Sequence, residues 1–215
     1  MALRQLGFID LPPHLKGGGF DHAAVHEPTG RIYVAHTAND AVDVIDITAQ
    51  RYLRSIPDLP AVASALVSEP DLVFTSNRGE NTVGLFTADV PRVEKIGVGI
   101  RPNGLAYDPR RARLLVAHVG DPSIAGSFTV SVIDVRGRKR VAHVAVAGRT
   151  RWAIYDPVGD AFHVTSPIHR RSLSSSRAIR CASVGSSPSR TRGRTASIST
   201  SRDVGCSARL TPASS

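Results

Sequence analysis

A repeat with a period of 41 residues constrains this chain more than any other feature. His36, Asn77 and His118 follow one another at that spacing, and Asp40 and Asn81 share it. Around each of the three, an apolar run, a polar turn and a second apolar run recur in phase. The first set is Ile32-Tyr33-Val34-Ala35-His36 and Ala41-Val42-Asp43-Val44-Ile45-Asp46. The second is Leu72-Val73-Phe74-Thr75 with Thr82 to Phe86. The third is Leu114-Leu115-Val116-Ala117-His118 with Val130-Ser131-Val132-Ile133-Asp134. β-Branched and aromatic residues suit a pleated, half-buried surface, and no window shows an apolar stripe at helical spacing. The residues between the runs include Asn39-Asp40 and Asn77-Arg78-Gly79-Glu80-Asn81. Asn and Asp tolerate the left-handed region and bond their own backbone, so they make turns.

Each period also holds a preceding and a following strand. Four strands in about 40–45 residues is the pattern of a β-propeller blade. The reading is an all-β fold, a partial β-propeller of about three and a half four-stranded blades, over residues 1–164. The blades are placed at 20–60, 61–101 and 102–150, with an incomplete one at 151–164 and residues 3–11 as an outer strand of a closing blade. Asp46 and Asp134 end equivalent strands and read as turn caps rather than a carboxylate pair.

The strings R-I-Y-V-A-H with V-D-V-I-D, L-V-F-T-S-N with N-T-V-G-L-F, and R-P-N-G-L-A-Y-D-P with R-L-L-V-A-H and V-S-V-I-D resemble the YVTN-type β-propeller repeat family, over residues 20–164. His36 and His118 stand where that family has Asn, which Asn77 keeps. The resemblance implies a ring of seven blades. It is weak for function, because the family includes binding proteins, lactonase-like proteins and parts of redox enzymes.

Beyond residue 164 the repeat stops. Residues 165–215 hold 15 Ser, nine Arg, one acid and no aromatic residue. Such a stretch buries too little apolar surface to offset its ordering entropy, so it reads as a disordered tail. Its basic residues also explain the charge. Of the 27 Lys and Arg and 18 Asp and Glu in the chain, 18 and 17 remain in residues 1–164, a net of +1, so +8 of the net +9 resides in the tail. Three readings of the tail stand: an Arg/Ser segment that binds nucleic acid non-specifically through phosphate charge, an inert extension, or an out-of-frame translation of a GC-rich gene. The abrupt change inside a repeat favours the last, and the coding DNA near codon 165 tests it.

Both cysteines, Cys181 and Cys206, lie in the tail, so no disulfide staples the body and no C-x-x-C-H haem motif exists. The N-terminus lacks a signal-type apolar stretch, and no run reaches the ~20 apolar residues of a membrane helix. The expectation is a cytoplasmic protein with no membrane partner.

In a four-stranded antiparallel blade, the turns between the second and third strands share one face with the connections between blades. That face collects Asp21, His22, His36, Asn77, Arg78, Glu80, Arg101, Asn103, His118, Asp121, Arg149, Arg151 and Trp152. Loops on a rigid scaffold are where binding residues gather. His22, His36 and His118 carry imidazoles suited to a metal, but His36 and His118 lie two blades apart and read as turn residues. No cofactor is expected, and a divalent metal at the channel mouth belongs only to the second reading below. Trp152 reads as packing. The sequence holds no phosphate loop, G-x-S-x-G or H-E-x-x-H. The leading reading is a binding or interaction scaffold for a small molecule or protein, without a reaction. The second is a lactonase-type hydrolase whose metal would draw on Asp21, Glu80, Asn103 and Asp121. A third is a fragment of a propeller redox enzyme. An incomplete ring leaves open edges, so self-association is expected.

Overall fold

The computed structural model describes residues 4–68, 70–90 and 92–166, together with backbone strands at 175–181 and 206–209. It consists of four antiparallel sheets of four strands, each built from strands consecutive in sequence. The contacts divide the chain into two compact units, residues 1–95 and 96–215.

In the first unit, β1 (Phe20–His26), β2 (Arg31–His36), β3 (Ala41–Asp46) and β4 (Arg51–Ile56) form one sheet. β5 (Val62–Ser68), β6 (Leu72–Asn77), β7 (Thr82–Thr87) and β8 (Glu94–Gly97) form the next. The two stack through Tyr33, Ala35, Val42 and Val44 of the first sheet and Val73 and Phe86 of the second, all buried. In the second unit the sheets are β9 (Pro102–Asp108), β10 (Arg113–His118), β11 (Thr129–Asp134) and β12 (Lys139–Ala145), then β13 (Ala153–Asp156), β14 (Ala161–Ser166), β15 (Ser175–Cys181) and β16 (Cys206–Arg209). Ala106, Leu115, Ala117 and Val130 meet Phe162 and Val164 across that interface. These are the sheets of a partial β-propeller.

The repeat is preserved to the level of single pairs. Val34 lies opposite Asp43, Thr75 opposite Gly84 and Val116 opposite Ser131. The first pair of strands in each of the first three sheets carries a register shift near the same end. Left-handed turn residues recur in phase as well: Asp40 and Asn81 after the second strands, Ala61 and Arg101 in the connections between sheets, and Gly30, Ala112 and Asp160 just before the second strands. At Asp46 the expected cap is present, the carboxylate accepting from the Ala49 amide at 2.8 Å.

Residues 4–19 form no strand, in contrast to the outer strand expected over 3–11. A strand needs a partner's ladder, and this segment instead crosses the turn between β2 and β3. Asn39 donates to the Pro13 carbonyl at 3.0 Å and accepts from the Leu15 amide at 2.8 Å, while Lys16 pairs with Asp40. The tail reading falls largely outside the described residues. Thr165 and Ser166 complete β14, and the backbones of 175–181 and 206–209 continue that sheet in antiparallel register.

Candidate functional site

The second strand of each of the first three sheets ends in a fully buried polar residue, His36, Asn77 or His118. A polar group removed from water has to be bonded inside the protein. The three residues achieve this in three ways.

His36 bonds through Nδ1 to Oδ2 of Asp43 at 2.7 Å, and neither side chain is exposed. Asp43 accepts a second bond from Ser55 Oγ at 2.6 Å, and Ser55 lies 2.8 Å from the Tyr52 hydroxyl. Asp43 sits on β3 directly opposite Ser55 on β4, so sheet register alone aligns this relay. The Phe20 and His14 rings lie 4.2 and 5.0 Å from the imidazole, and its buried Nε2 has no hydrogen-bond partner among the described residues. The imidazole is thus covered, not presented to a ligand.

Asn77 donates to Thr82 Oγ1 at 3.0 Å, and Thr82 donates to Glu80 Oε1 at 2.7 Å. Lys95 holds Glu80 at 3.0 Å and Asp58 at 2.9 Å. Asp21 is held by Arg78 at 3.2 Å and lies 3.1 Å from His22 Nδ1, which is also 2.9 Å from the Ala63 carbonyl oxygen.

In the second unit the Gly99 amide donates to His118 Nε2 at 3.3 Å. That bond assigns the proton to Nδ1, which donates to Thr129 Oγ1 at 2.8 Å. A neutral ring satisfies both contacts. Burial, the neighbouring His143, which stacks on it with ring centres 6.0 Å apart, and Arg140 push its pKa down to about 3. Its carbonyl accepts from both the amide and the hydroxyl of Thr150, at 3.1 and 2.8 Å, which anchors the connection to the fourth sheet. Asn103, also buried, donates to the Arg151 carbonyl at 2.9 Å. Arg101 pairs with Asp121 at 3.0 Å. Arg149 and Arg151 are exposed, and Trp152 is 54% exposed rather than packed in a core.

Thus Asp21 and His22 gather with Arg78, and Asn77 with Thr82 and Glu80. Asn103 and His118 bond the backbone at Arg151 and Thr150, while Arg101 pairs with Asp121. Among the described residues, no group of three His, Cys, Asp or Glu side chains is placed to hold a metal ion. Sequence reasoning did not pick out Asp43, Ser55, Thr129 or Lys95. The signal for Asp43 was present: it shares a strand face with Ala41 and Ile45, so an acid there faces the interior and requires a partner.

On the opposite face a second polar cluster links the third and fourth sheets. Arg111 reaches Asp108 at 2.8 Å and both oxygens of Asp160 at 2.7 Å. Tyr155 donates to Asp160 at 3.0 Å. The bidentate guanidinium, aided by the Tyr155 hydroxyl, pulls the Asp160 pKa down to about 2. This is a clamp between neighbouring sheets.

The stacked four-stranded sheets and their buried turn residues define an all-β protein of the propeller type. Among solved structures, the chain is similar to hydrazine synthase of Kuenenia stuttgartiensis, with a TM-score of 0.68 at 16% identity. The match covers 81% of this chain and 49% of that one, so the chain spans about half the length of its structural neighbour. The likeness is one of fold. No protein-family model and no curated protein matches the chain. No helix among the described residues is long and apolar enough to cross a membrane.

Proposed function

We propose that this chain is a propeller-type binding scaffold, offering the loops on one face of its sheets to a small molecule or a protein, and that it carries no reaction of its own. The observation behind this reading is the pairing of its carboxylates. Asp21 is neutralised by Arg78, Glu80 by Lys95 and Asp121 by Arg101. The lactonase reading needs these same acids to converge on a cation, and Asn103 to turn toward it, whereas Asn103 is committed to the Arg151 carbonyl. The buried residues of that face hold the turns in place, and Arg149 and Arg151 lie exposed on its loops, where a rigid scaffold offers contacts to a partner.

The test is calorimetric titration of the purified chain with Ca²⁺ and Zn²⁺, alongside hydrolysis assays on a panel of lactones with and without each ion. The scaffold reading expects neither saturable metal binding at micromolar concentration nor lactone opening. Metal-dependent turnover that disappears in Asp21→Asn, Glu80→Gln or Asp121→Asn would overturn it.

A further inference from the structure

The chain forms one kind of sheet-to-sheet interface twice, and it carries both halves of a third. In the first interface, one face of the second sheet lies on the first. That face includes the row Val67, Val73 and Phe86, which are paired across β5, β6 and β7. In the second, the rows Tyr155–Phe162 and Ala153–Val164 of the fourth sheet lie on Leu115 and Ala117 of the third. The repeat identifies the equivalent rows of the first sheet as Val25–Ile32–Ile45 and Ala23–Val34. There the face is open along β1 and β2, while Ile45 on β3 is buried: Val25 is 54% exposed, Ala23 is exposed, and Ile32 and Val34 are only half-buried.

The complementary half is at the other end. The face that receives a following sheet is built on Ala24–Tyr33 in the first sheet and Ala106–Leu115 in the third. Its counterpart in the fourth sheet is the row Ile154–His163, and Ile154 is 64% exposed.

We propose that the open face of the first sheet binds the open face of the fourth sheet of a second copy of this chain, head to tail. The occupant follows from the chemistry. The surface that covers these rows in the other sheets is the opposite face of a sheet of the same repeat, and each copy carries one such face, on which Ile154 is exposed. Exposed apolar sheet faces of this kind seek a partner. Head-to-tail contacts either close into rings or run on as open chains.

The test is sedimentation of the full chain over about 1–100 μM, with three variants. Val25→Lys and Ile154→Glu alter the two faces, and Val158→Lys, on a fully exposed turn, is the control. Circular dichroism and melting confirm that each variant is folded. The wild type and the control are expected to associate. Each of the other two is expected to weaken association at least tenfold, and mixing them is expected to restore a heterologous pair through the unaltered faces. A monomeric wild type overturns the proposal, as does association that survives Val25→Lys. Loss in Val25→Lys with Ile154→Glu unaffected would mean that like faces pair, and that also overturns it.

Discussion

His36 and Asp43 form a buried pair 2.7 Å apart whose two side chains are both shut off from solvent. The equivalent positions of the second sheet are Asn77 and Gly84, an uncharged amide and no side chain at all. The same turn is thus held by an ionisable pair in one blade and by a neutral arrangement in the next.

This relationship predicts strong coupling. Asp43→Ala removes one partner of a buried pair and also strands Ser55, and it should cost about 3–5 kcal/mol. The double change His36→Asn with Asp43→Gly copies the neighbouring blade and should cost clearly less than the sum of the single changes. Urea midpoints for the four proteins check this.

Acid should destabilise the second unit through His118. Its folded pKa is about 3, below the ordinary value of 6.5, so the unfolded chain takes up a proton that the folded chain refuses. The stabilisation is complete above pH 6.5 and is lost progressively as pH falls toward 3. The loss is on the order of a few kcal/mol. His118→Asn, the residue found at the second sheet's turn, should flatten that part of the stability–pH curve.

Asp160 should titrate near pH 2, seen by carboxyl carbon NMR. Its folded pKa is depressed, so the clamp contributes above the ordinary carboxylate range near 3.8 and fades as pH falls through about 2. Arg111→Ala should return the Asp160 titration most of the way to its ordinary value, and Tyr155→Phe should do so by a smaller step.

Gly104 on β9 lies so close to the Arg151 carbonyl that an added Cβ would overlap it. Here the obstacle is backbone, which cannot swing aside as a flexible side chain would. Gly104→Ala should lower stability by about 1–3 kcal/mol, whereas Gly97→Ala, which meets open space, should change little. Thermal melts distinguish the two.

The strands and their order were legible because period-2 apolar patterning repeats every 41 residues from His36 to His118. Phase alone placed those residues on equivalent turns. What they bond to was not legible. Asp43 and Ser55 reach His36 through strand register, Thr129 reaches His118 across a longer turn, and Lys95 reaches Glu80 from the next strand but one. Those partners are set by antiparallel pairing in space, which a turn-by-turn reading of the chain does not supply. The expected strand over residues 3–11 illustrates the reverse case: Leu6, Phe8 and Ile9 have the composition of a strand, but a strand forms only where another offers it a free edge.

The short leader across the first blade has a practical consequence. Pro13 and Leu15 are tethered to Asn39, and His14 lies against the imidazole of His36. A protease that trims the chain ahead of Gly17 would leave every sheet intact and still unplug the first blade, admitting water to a nitrogen that now touches none. Residues 13–16 therefore work as a stopper, and a version of the protein shortened through them would be a different molecule at that end.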